Sequence, residues 1–566
     1  MCSSKFEQGD FIFWRRGDGA ICPTCHENPP EKTEKVDFKP KPKVDSLQVS
    51  TLTLSKYQQK VIDAVRNAKA GEHFIVEAVA GSGKTFTMIQ AIAHLLVSSA
   101  TSLLSVLFLA FNKSIAGELA EKVRSSSQVT ASTTHSFGLK ICRNVLGRKF
   151  QINADKTHRI LFNQVYSYCD ETQEVKKKIR RMSSPIIKMV GLAKNHCIFS
   201  ADDLRENWQS LANKYDVSIP DEVVGTSEFE SILIDVYERC LNETTVLDFD
   251  DMIFYPVAHK MPVGNYNRIM IDEAQDMSPV QIEFIKMLAA AGGSVICVGD
   301  TSQSIYGFRG ADTSSMKNIK EALGATVLPL SICYRCCKQV VRLAQTIVPH
   351  IEYAPDAIEG KVENISENDF FKEVKEKDYA ICRTAAPLVL TCLRLIAAGR
   401  KAMIMGRDIG KDLIGLIENI CDKNGSVSDV GDFLQALDNW FGHEFSKLSK
   451  QENTEMKIQA LQDKVDTINA LAEGQSTVCQ IKQRIEKIFS DNADGIVLST
   501  VHKAKGLEAD RVFILNYDLM PHPAAKIQID PKTGEKDDWQ IVQEEWLRYV
   551  AITRAKKELY LVPSKR

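Results

Sequence analysis

The stretch AVAGSGKT, residues 78–85, closes the apolar run FIVEAV and leads into the helical pattern TFTMIQAIAHLL. Small residues in such a loop let backbone N–H groups turn inward around phosphate oxygens. Gly81 and Gly83 supply that freedom, Lys84 brings a positive charge to the β- and γ-phosphates, and Thr85 offers a hydroxyl to Mg²⁺. The helix that follows presents its N-terminus to the anion. The whole loop, Ala78, Val79, Ala80, Gly81, Ser82, Gly83, Lys84 and Thr85, is therefore read as a nucleoside triphosphate site. Ala78 stands where glycine is the usual opening residue.

A second chemical signature lies far along the chain. RIMIDEAQD is an apolar strand that ends in two adjacent carboxylates, Asp272 and Glu273. Asp272 is placed to hold Mg²⁺, directly or through water, and Glu273 to orient and deprotonate an attacking water. A transferring phosphoryl group also needs cations around it. Arg309 in VGDTSQSIYGFRGAD, Arg335 in LSICYRCC and Arg554 in YVAITRAKKELYLV are the candidates. If Arg335 and Arg554 reach the phosphate loop, the nucleotide lies between two cores, and hydrolysis can change their separation.

The elements that must position these groups follow an α/β pattern. β-Branched runs such as FIVEAV, SVLFLAF, RIMIDE and SVICVGD alternate with helical stretches, which predicts a parallel sheet covered on both faces. The chain has 566 residues, 44% hydrophobic and 25% charged, and a net charge of −2, so a basic channel for a polyanion would have to be local. Residues 51–139 and 246–325 are assigned to a first core, and 326–409 with 491–566 to a second. Helical insertions are expected at 140–245 and at 410–490, where Ile458, Leu461, Val465, Ile468 and Leu471 fall at helical spacing as a core stripe. Residues 1–50 form an extension with a proline- and charge-rich linker. Within it Cys22, Cys25 and His26 have metal-ligand spacing, but zinc needs four ligands and no second pair lies nearby; a small turn is the alternative. The 15 scattered cysteines suit reduced thiols in the cytoplasm, at the nucleoid or in a nucleus. Neither a membrane-spanning run nor a secretory signal is expected.

From residue 52 onward these segments, in this order, resemble the UvrD/Rep-type superfamily 1 DNA helicases. The resemblance implies two RecA-like parallel-sheet cores, ATP and Mg²⁺ as cofactors, and single-stranded DNA or single-strand/duplex junctions as partner. It also implies 3′–5′ movement coupled to ATP hydrolysis, by a chain taken to be a monomer. LSKYQQKVIDAV is similar to the family's Q motif, so Gln58 is expected at the adenine edge. Alanine at position 78 is a family trait. LAFNKSIAGEL resembles motif Ia, with Phe111 and Asn112 on DNA, and STTHSFG resembles motif Ib, with Thr133 and His135 near the backbone. In VGDTSQSIYGFRGA the resemblance places Gln303 and Arg309 at the γ-phosphate and Tyr306 and Phe308 against bases. Phe308 stands where tryptophan is common, and keeps a stacking face. In the second core it implies that Tyr334 stacks on adenine and that Arg335 reaches the γ-phosphate. It further implies that Arg383 and His502 contact DNA, that Glu508 holds the ribose and that Arg554 acts as the arginine finger, supported by Glu544.

Two departures stand out. The second insertion is shorter than in large family members, which leaves duplex engagement open and keeps a protein-displacing translocase with little unwinding as an alternative. A DNA-binding scaffold with a vestigial ATPase is the other alternative, opposed by the complete set Lys84, Thr85, Asp272, Glu273, Arg335 and Arg554. The basic run KKKIRR, 176–181, fits a DNA path and a solvated helix face equally well. A nuclease domain is not expected after the last motif. Phe86 directly follows the loop, where relatives often carry an arginine that stacks on adenine. Hydrolysis rates with ATP and GTP are therefore expected to differ less than in relatives with arginine; a ratio as sharp as theirs would overturn this.

Overall fold

The computed structural model describes residues 13–15, 19–21, 53–98, 104–110, 113–122, 127–147, 150–167, 173–215, 217, 226–305, 314–425, 427–449, 454–490, 495–529 and 536–564. The chain divides into two units, Met1–Ser46 and Leu47–Arg566. In the first, Phe13–Arg15 pairs antiparallel with Gly19–Ile21; Cys22, Cys25 and His26 lie outside the described residues.

The second unit contains two parallel sheets. The first is built from β1 (Phe74–Ala78), β2 (Val106–Ala110), β3 (Val129–Thr133), β4 (Arg268–Ile271), β5 (Ser294–Gly299) and β6 (Thr326–Leu330), in the order β6-β1-β5-β4-β2-β3. β2, β4 and β5 are buried along their whole length, as interior strands of a sheet covered on both faces must be. The second contains β7 (Lys361–Asn364), β8 (Tyr379–Cys382), β9 (Ala402–Met405), β10 (Phe489–Ser490), β11 (Ile496–Thr500), β12 (Ala509–Leu515) and β13 (Ala555–Val562), ordered β7-β13-β12-β8-β11-β9-β10. Every pairing in both sheets is parallel.

One boundary differs from the sequence reading. Residues 326–330 were assigned to the second core, yet β6 pairs with β1 in register from Thr326↔Phe74 to Leu330↔Ala78 and forms an edge of the first sheet. An apolar run announces a strand but not its partner, because parallel pairing joins segments far apart in the chain. The transition between cores therefore follows Leu330. At the other end Phe489–Ser490 joins the second sheet beside β9.

Helix α1 (Lys56–Asn67) opens the first core with a capping box, in which Ser55 and Gln58 exchange side chain and backbone bonds. Helix α2 (Lys84–Ser98) follows the phosphate loop. The two helical insertions differ in construction. In the first, α3 (Lys156–Ser167), α4 (Gln173–Asn195), α5 (Ala201–Lys214) and α6 (Thr226–Asn242) enclose their own apolar core, including Leu161, Met189, Trp208, Phe229 and Tyr237. The side chains of KKKIRR, on α4, lie outside the described residues. In the second, α7 (Arg407–Lys423), α8 (Val430–Leu448), α9 (Glu455–Ala472) and α10 (Val478–Ile488) share, among the described residues, the apolar cluster of the second core. Leu413, Ile417, Phe433, Ile468 and Ile485 pack in one cluster with Ala380, Leu388, Ile404 and Leu498 of the second core. Of the expected stripe, Val465, Ile468 and Leu471 are buried, and Ile458 and Leu461 are half-buried.

A buried charge cluster joins the first insertion to its core. The Lys194 ammonium reaches Asp248 at 2.7 Å and Asp251 at 2.8 Å, and Lys156 reaches the other oxygen of Asp251 at 2.7 Å. Lys156 also donates to the Glu243 carbonyl at 3.0 Å. Burial pushes the Asp251 carboxyl up, but the two ammonium groups outweigh it and hold the group ionised. Removing one partner of a buried pair leaves an uncompensated charge. Asp251→Asn is expected to cost about 3–5 kcal/mol, read as a lower urea midpoint for the first core. An unchanged midpoint would show that water compensates the two lysines.

Candidate nucleotide-binding cleft

The phosphate loop spans the turn from β1 into α2. Gly81 and Gly83 both have positive φ, 68° and 77°, which L side chains rarely adopt. Space matters as well at Gly81, where a Cβ would lie 2.6 Å from the Arg335 Cβ and 3.0 Å from the Cys333 Sγ. At Gly83 the nearest atom would be the Gln58 Nε2 at 3.5 Å, so there the backbone angle alone requires glycine. The buried Ser82 hydroxyl has no protein partner among the described residues, as expected of a group aimed at a ligand.

Beneath the loop the acidic pair meets the residues assigned to work with it. Thr85 donates to the Asp272 Oδ2 at 3.1 Å, and the Lys84 ammonium stands 3.4 Å from the Glu273 Oε2. Burial and the neighbouring Glu273 push the Asp272 carboxyl up to about 6. Burial also pushes Glu273 up, but Lys84 and a hydrogen bond from Gln275 more than offset it and keep Glu273 ionised. For Lys84, Glu273, Asp300 and Asp272 outweigh burial and raise its affinity for a proton. Glu273 sits in the left-handed region, φ 53° and ψ 43°, a strained conformation for a side chain of this kind. The Thr85 hydroxyl 3.1 Å from the Asp272 carboxyl pairs two hard oxygen donors, a set that fits Mg²⁺.

Gln275 was not singled out from the sequence, yet it organises the site. Its amide donates to Glu273, and its oxygen accepts the backbone N–H of Asp300 at 3.1 Å. A Cβ on Gly299 would lie 2.6 Å from that oxygen. Asp300, pushed up to about 6 by burial, in turn accepts from the Gln303 amide at 2.6 Å. Gln303 is thus tied to its own loop beside the acidic pair.

The second core approaches the loop from the other side. The Tyr549 hydroxyl accepts the Ala80 N–H at 2.9 Å, and Tyr334 donates its N–H to the Gly81 carbonyl at 2.9 Å. The Lys505 ammonium reaches both oxygens of Asp276, at 2.9 and 2.6 Å, and the Gln303 carbonyl at 2.7 Å. Gln543 donates to the Ile305 carbonyl at 3.1 Å. Tyr549 lies within YVAITRAKKELYLV, but the types of Tyr549, Lys505 and Gln543 alone do not distinguish a cross-cleft contact from a core position.

The remaining expected site residues divide into three groups. Tyr334 is 45% exposed, and its hydroxyl lies 3.4 Å from the Gln58 Oε1, so the two candidates for the base pocket adjoin, with Phe86 half-buried close by. Arg335, Glu508 and Arg554 are gathered near the loop but engaged with protein. Arg335 pairs with Glu508 at 2.6 Å, and Glu508 also holds Lys556 at 2.6 Å. Arg554 is 1% exposed and donates to the carbonyls of Val550 and Leu507. Burial and the neighbouring Arg335 bring its guanidinium down to about 10.

Of the expected DNA contacts, Phe111, Asn112, Tyr306 and Phe308 lie outside the described residues, as does Arg309. Thr133 caps the helix Thr134–Leu146 by accepting the Ser136 N–H at 3.2 Å. His135 is held neutral-leaning by burial. Arg383 is clamped by Glu544 through Nε and Nη2 at 2.7–3.0 Å, which gives Glu544 a partner other than the motif it was expected to support. His502 lies on the short helix Val501–Ala504. The sequence reading passed over Phe249, an aromatic ring 58% exposed between the buried Asp248 and the Asp250–Asp251 pair. Phe249 lies in the turn between the strand Val246–Leu247 and the helix Asp251–Ala258.

Comparison with known proteins points to one family. The family model for the UvrD/REP helicase N-terminal domain matches residues 56–323, and that for the UvrD-like helicase C-terminal domain matches 396–566. A probable DNA helicase II homolog of Rickettsia felis is 24% identical over 625 aligned positions, covering 90% of this chain and 92% of that protein. The ATP-dependent DNA helicase PcrA of Staphylococcus aureus is 24% identical, covering 86% of this chain and 80% of its own. The arterivirus nonstructural protein 10 helicase aligns at a TM-score of 0.29 and 12% identity over 92% of this chain and 63% of that one, too low to bear on the fold.

Because Asp272 gains a proton as pH falls through about 6, a cation that needs its carboxylate must compete with that proton. Mg²⁺ affinity, titrated without nucleotide, is expected to be full above pH 7 and to fall as the pH drops below 6. Asp272→Asn should abolish that dependence along with tight binding.

Proposed function

Since this chain belongs to the UvrD/Rep family of ATP-dependent DNA helicases, we propose that it moves 3′ to 5′ along single-stranded DNA, driven by ATP hydrolysis in the cleft between its two cores. The observation that carries this reading is the meeting of Lys84, Thr85, Asp272 and Glu273 with Tyr334, Arg335, Lys505 and Tyr549 of the second core around one phosphate loop.

In this reading the loop N–H groups, Lys84 and the Ser82 hydroxyl take the phosphates of ATP. Thr85 and Asp272 would hold Mg²⁺, which would supply positive charge against the phosphates. Glu273 accepts the proton of the attacking water, a task suited to a carboxylate that stays ionised inside the protein. As Lys84 turns to phosphate, Glu273 loses its ion-pair partner and becomes the stronger base. Arg335 leaves Glu508, and Arg554 leaves the Val550 and Leu507 carbonyls, to meet the γ-phosphate. The freed Glu508 then faces the sugar. Gln58, Tyr334 and Phe86 enclose the base. Each of these exchanges links the second core to the nucleotide, so hydrolysis loosens the cleft and the cores part.

Exposed aromatic rings and the Thr133, His135, Arg383 and His502 side chains form the DNA path in this proposal, with stacking worth about 1–3 kcal/mol per base. A second reading, protein displacement with little unwinding, draws support from the second insertion, which is packed into the second core and has no body of its own to engage a duplex. Duplexes with a 3′ or a 5′ single-stranded tail separate the possibilities. Unwinding of the 3′-tailed substrate alone is expected, and Glu273→Gln should lower turnover by on the order of a thousandfold while sparing DNA binding. Equal unwinding from a 5′ tail, or from the Glu273→Gln protein, would refute the mechanism.

A further inference from the structure

The residues CYRCC, 333–337, place two thiols on either side of Tyr334 and Arg335. All three cysteines are buried, Cys333 most completely. They share an apolar cluster with Val79 and Ala80 of the phosphate loop and with Tyr549 and Val550. Cys333 lies against the loop itself, as its Sγ would be 3.0 Å from a Cβ on Gly81. The Cys336 Sγ lies 3.6 Å from the Thr553 carbonyl oxygen, beside Arg554. The pair therefore occupies the seam between the cores.

We propose that Cys333 and Cys336 are an oxidative modification site, in which a hydroperoxide converts the two thiols to a disulfide and thereby stops ATP hydrolysis. This rests on the reading that hydrolysis takes place in the cleft.

The chemistry is set up on both sulfurs. The Cys333 sulfur accepts hydrogen bonds from the Cys336 thiol and from the backbone N–H groups of Cys336 and Arg335, with the Arg335 guanidinium nearby. Those donors, led by the Cys336 thiol, bring Cys333 down to about 7, whereas the same bond and burial push Cys336 well above its ordinary value. Cys333 is thus the thiolate and nucleophile, and Cys336 the resolving thiol, the division that reactive cysteine pairs require. The Cys333 thiolate attacks one peroxide oxygen. A sulfur–oxygen bond forms, the oxygen–oxygen bond breaks, and the departing alkoxide takes up a proton as alcohol, or as water for hydrogen peroxide. Cys333 is then a sulfenic acid. The Cys336 sulfur attacks it and gives up its proton, and hydroxide leaves as water. Two thiols and one hydroperoxide yield one disulfide, one alcohol and one water.

The consequence follows from what lies between the sulfurs. Closing a ring over residues 333–336 re-aims Tyr334, which bonds to Gly81, and Arg335, which bonds to Glu508. Access is controlled by the cleft. Gly81 belongs to the first core and covers Cys333 of the segment leading into the second, so the thiols meet oxidant when the cores part. Bound nucleotide should therefore slow the oxidation.

The test uses the full chain in a Cys479→Ser background, because Cys479 is an exposed thiol that would react first. The protein is treated with hydrogen peroxide, with and without a non-hydrolysable ATP analogue. DNA-stimulated ATP turnover is then measured, and the peptide containing residues 333–336 is weighed by mass spectrometry. The expected result is loss of two hydrogens from that peptide, a fall in turnover on the order of a hundredfold, recovery with dithiothreitol, and protection by the analogue. Cys336→Ser should keep its turnover under peroxide. A peptide that stays reduced, a disulfide that leaves turnover intact, or equal inactivation of Cys336→Ser would overturn the proposal. If the reduced protein shows no turnover at all, the cleft reading fails, while the peptide mass still reports whether the two sulfurs join.

Discussion

Two carboxylates and one ammonium buried at the end of β4 and the start of α2 set the terms for the rest of the molecule. Burial and the neighbouring Glu273 push the Asp272 carboxyl up to about 6, while Lys84 and, more weakly, Lys505 hold Glu273 below its ordinary value. The protein responds by dividing their roles. Lys84 and Gln275 keep Glu273 charged, while Asp272 takes up a proton more readily than an ordinary aspartate. Asp300 and Asp276 add further acid to the same region, and Lys505 answers from the second core. An excess of buried negative charge on one core thus becomes an attraction for cations carried by the other.

That imbalance gives the cleft its mechanics. Lys505 binds Asp276 and the carbonyl of Gln303, so the second core touches the loop beside the acidic pair. Arg335 and Arg554 both rest on protein acceptors, Arg335 on Glu508 and Arg554 on the Val550 carbonyl. A positively charged group parked on a neighbour can move to a stronger anion without ever being left unpaired in a low-dielectric interior.

The sequence disclosed these features unevenly, for physical reasons. The phosphate loop and the acidic pair were legible because their chemistry requires fixed residue types at fixed short spacing, and Lys84, Thr85, Asp272 and Glu273 do meet. The two parallel sheets were legible from their apolar runs. The partner of β6 was not, since a run such as TVLPL carries no record of which strand it joins. Gln275, Lys505 and Tyr549 escaped notice because each acts through a contact across more than one motif. The clamp of Arg383 by Glu544 was hidden likewise, since 161 positions separate the two in the chain. The cluster of Lys156, Lys194, Asp248 and Asp251 was invisible because its four charges read individually as solvated.

The two insertions have different standing within the fold. The first closes its own apolar core around Trp208, Phe229 and Tyr237 and is tied to the first core by its charge cluster. The second lends Leu413, Phe433 and Ile485 to the same apolar cluster as the strands of the second core. It cannot be excised without stripping one face of that sheet. In evolutionary terms the first insertion is a module that can be exchanged or enlarged, whereas the second has become part of the chassis, and change there must proceed one packed residue at a time.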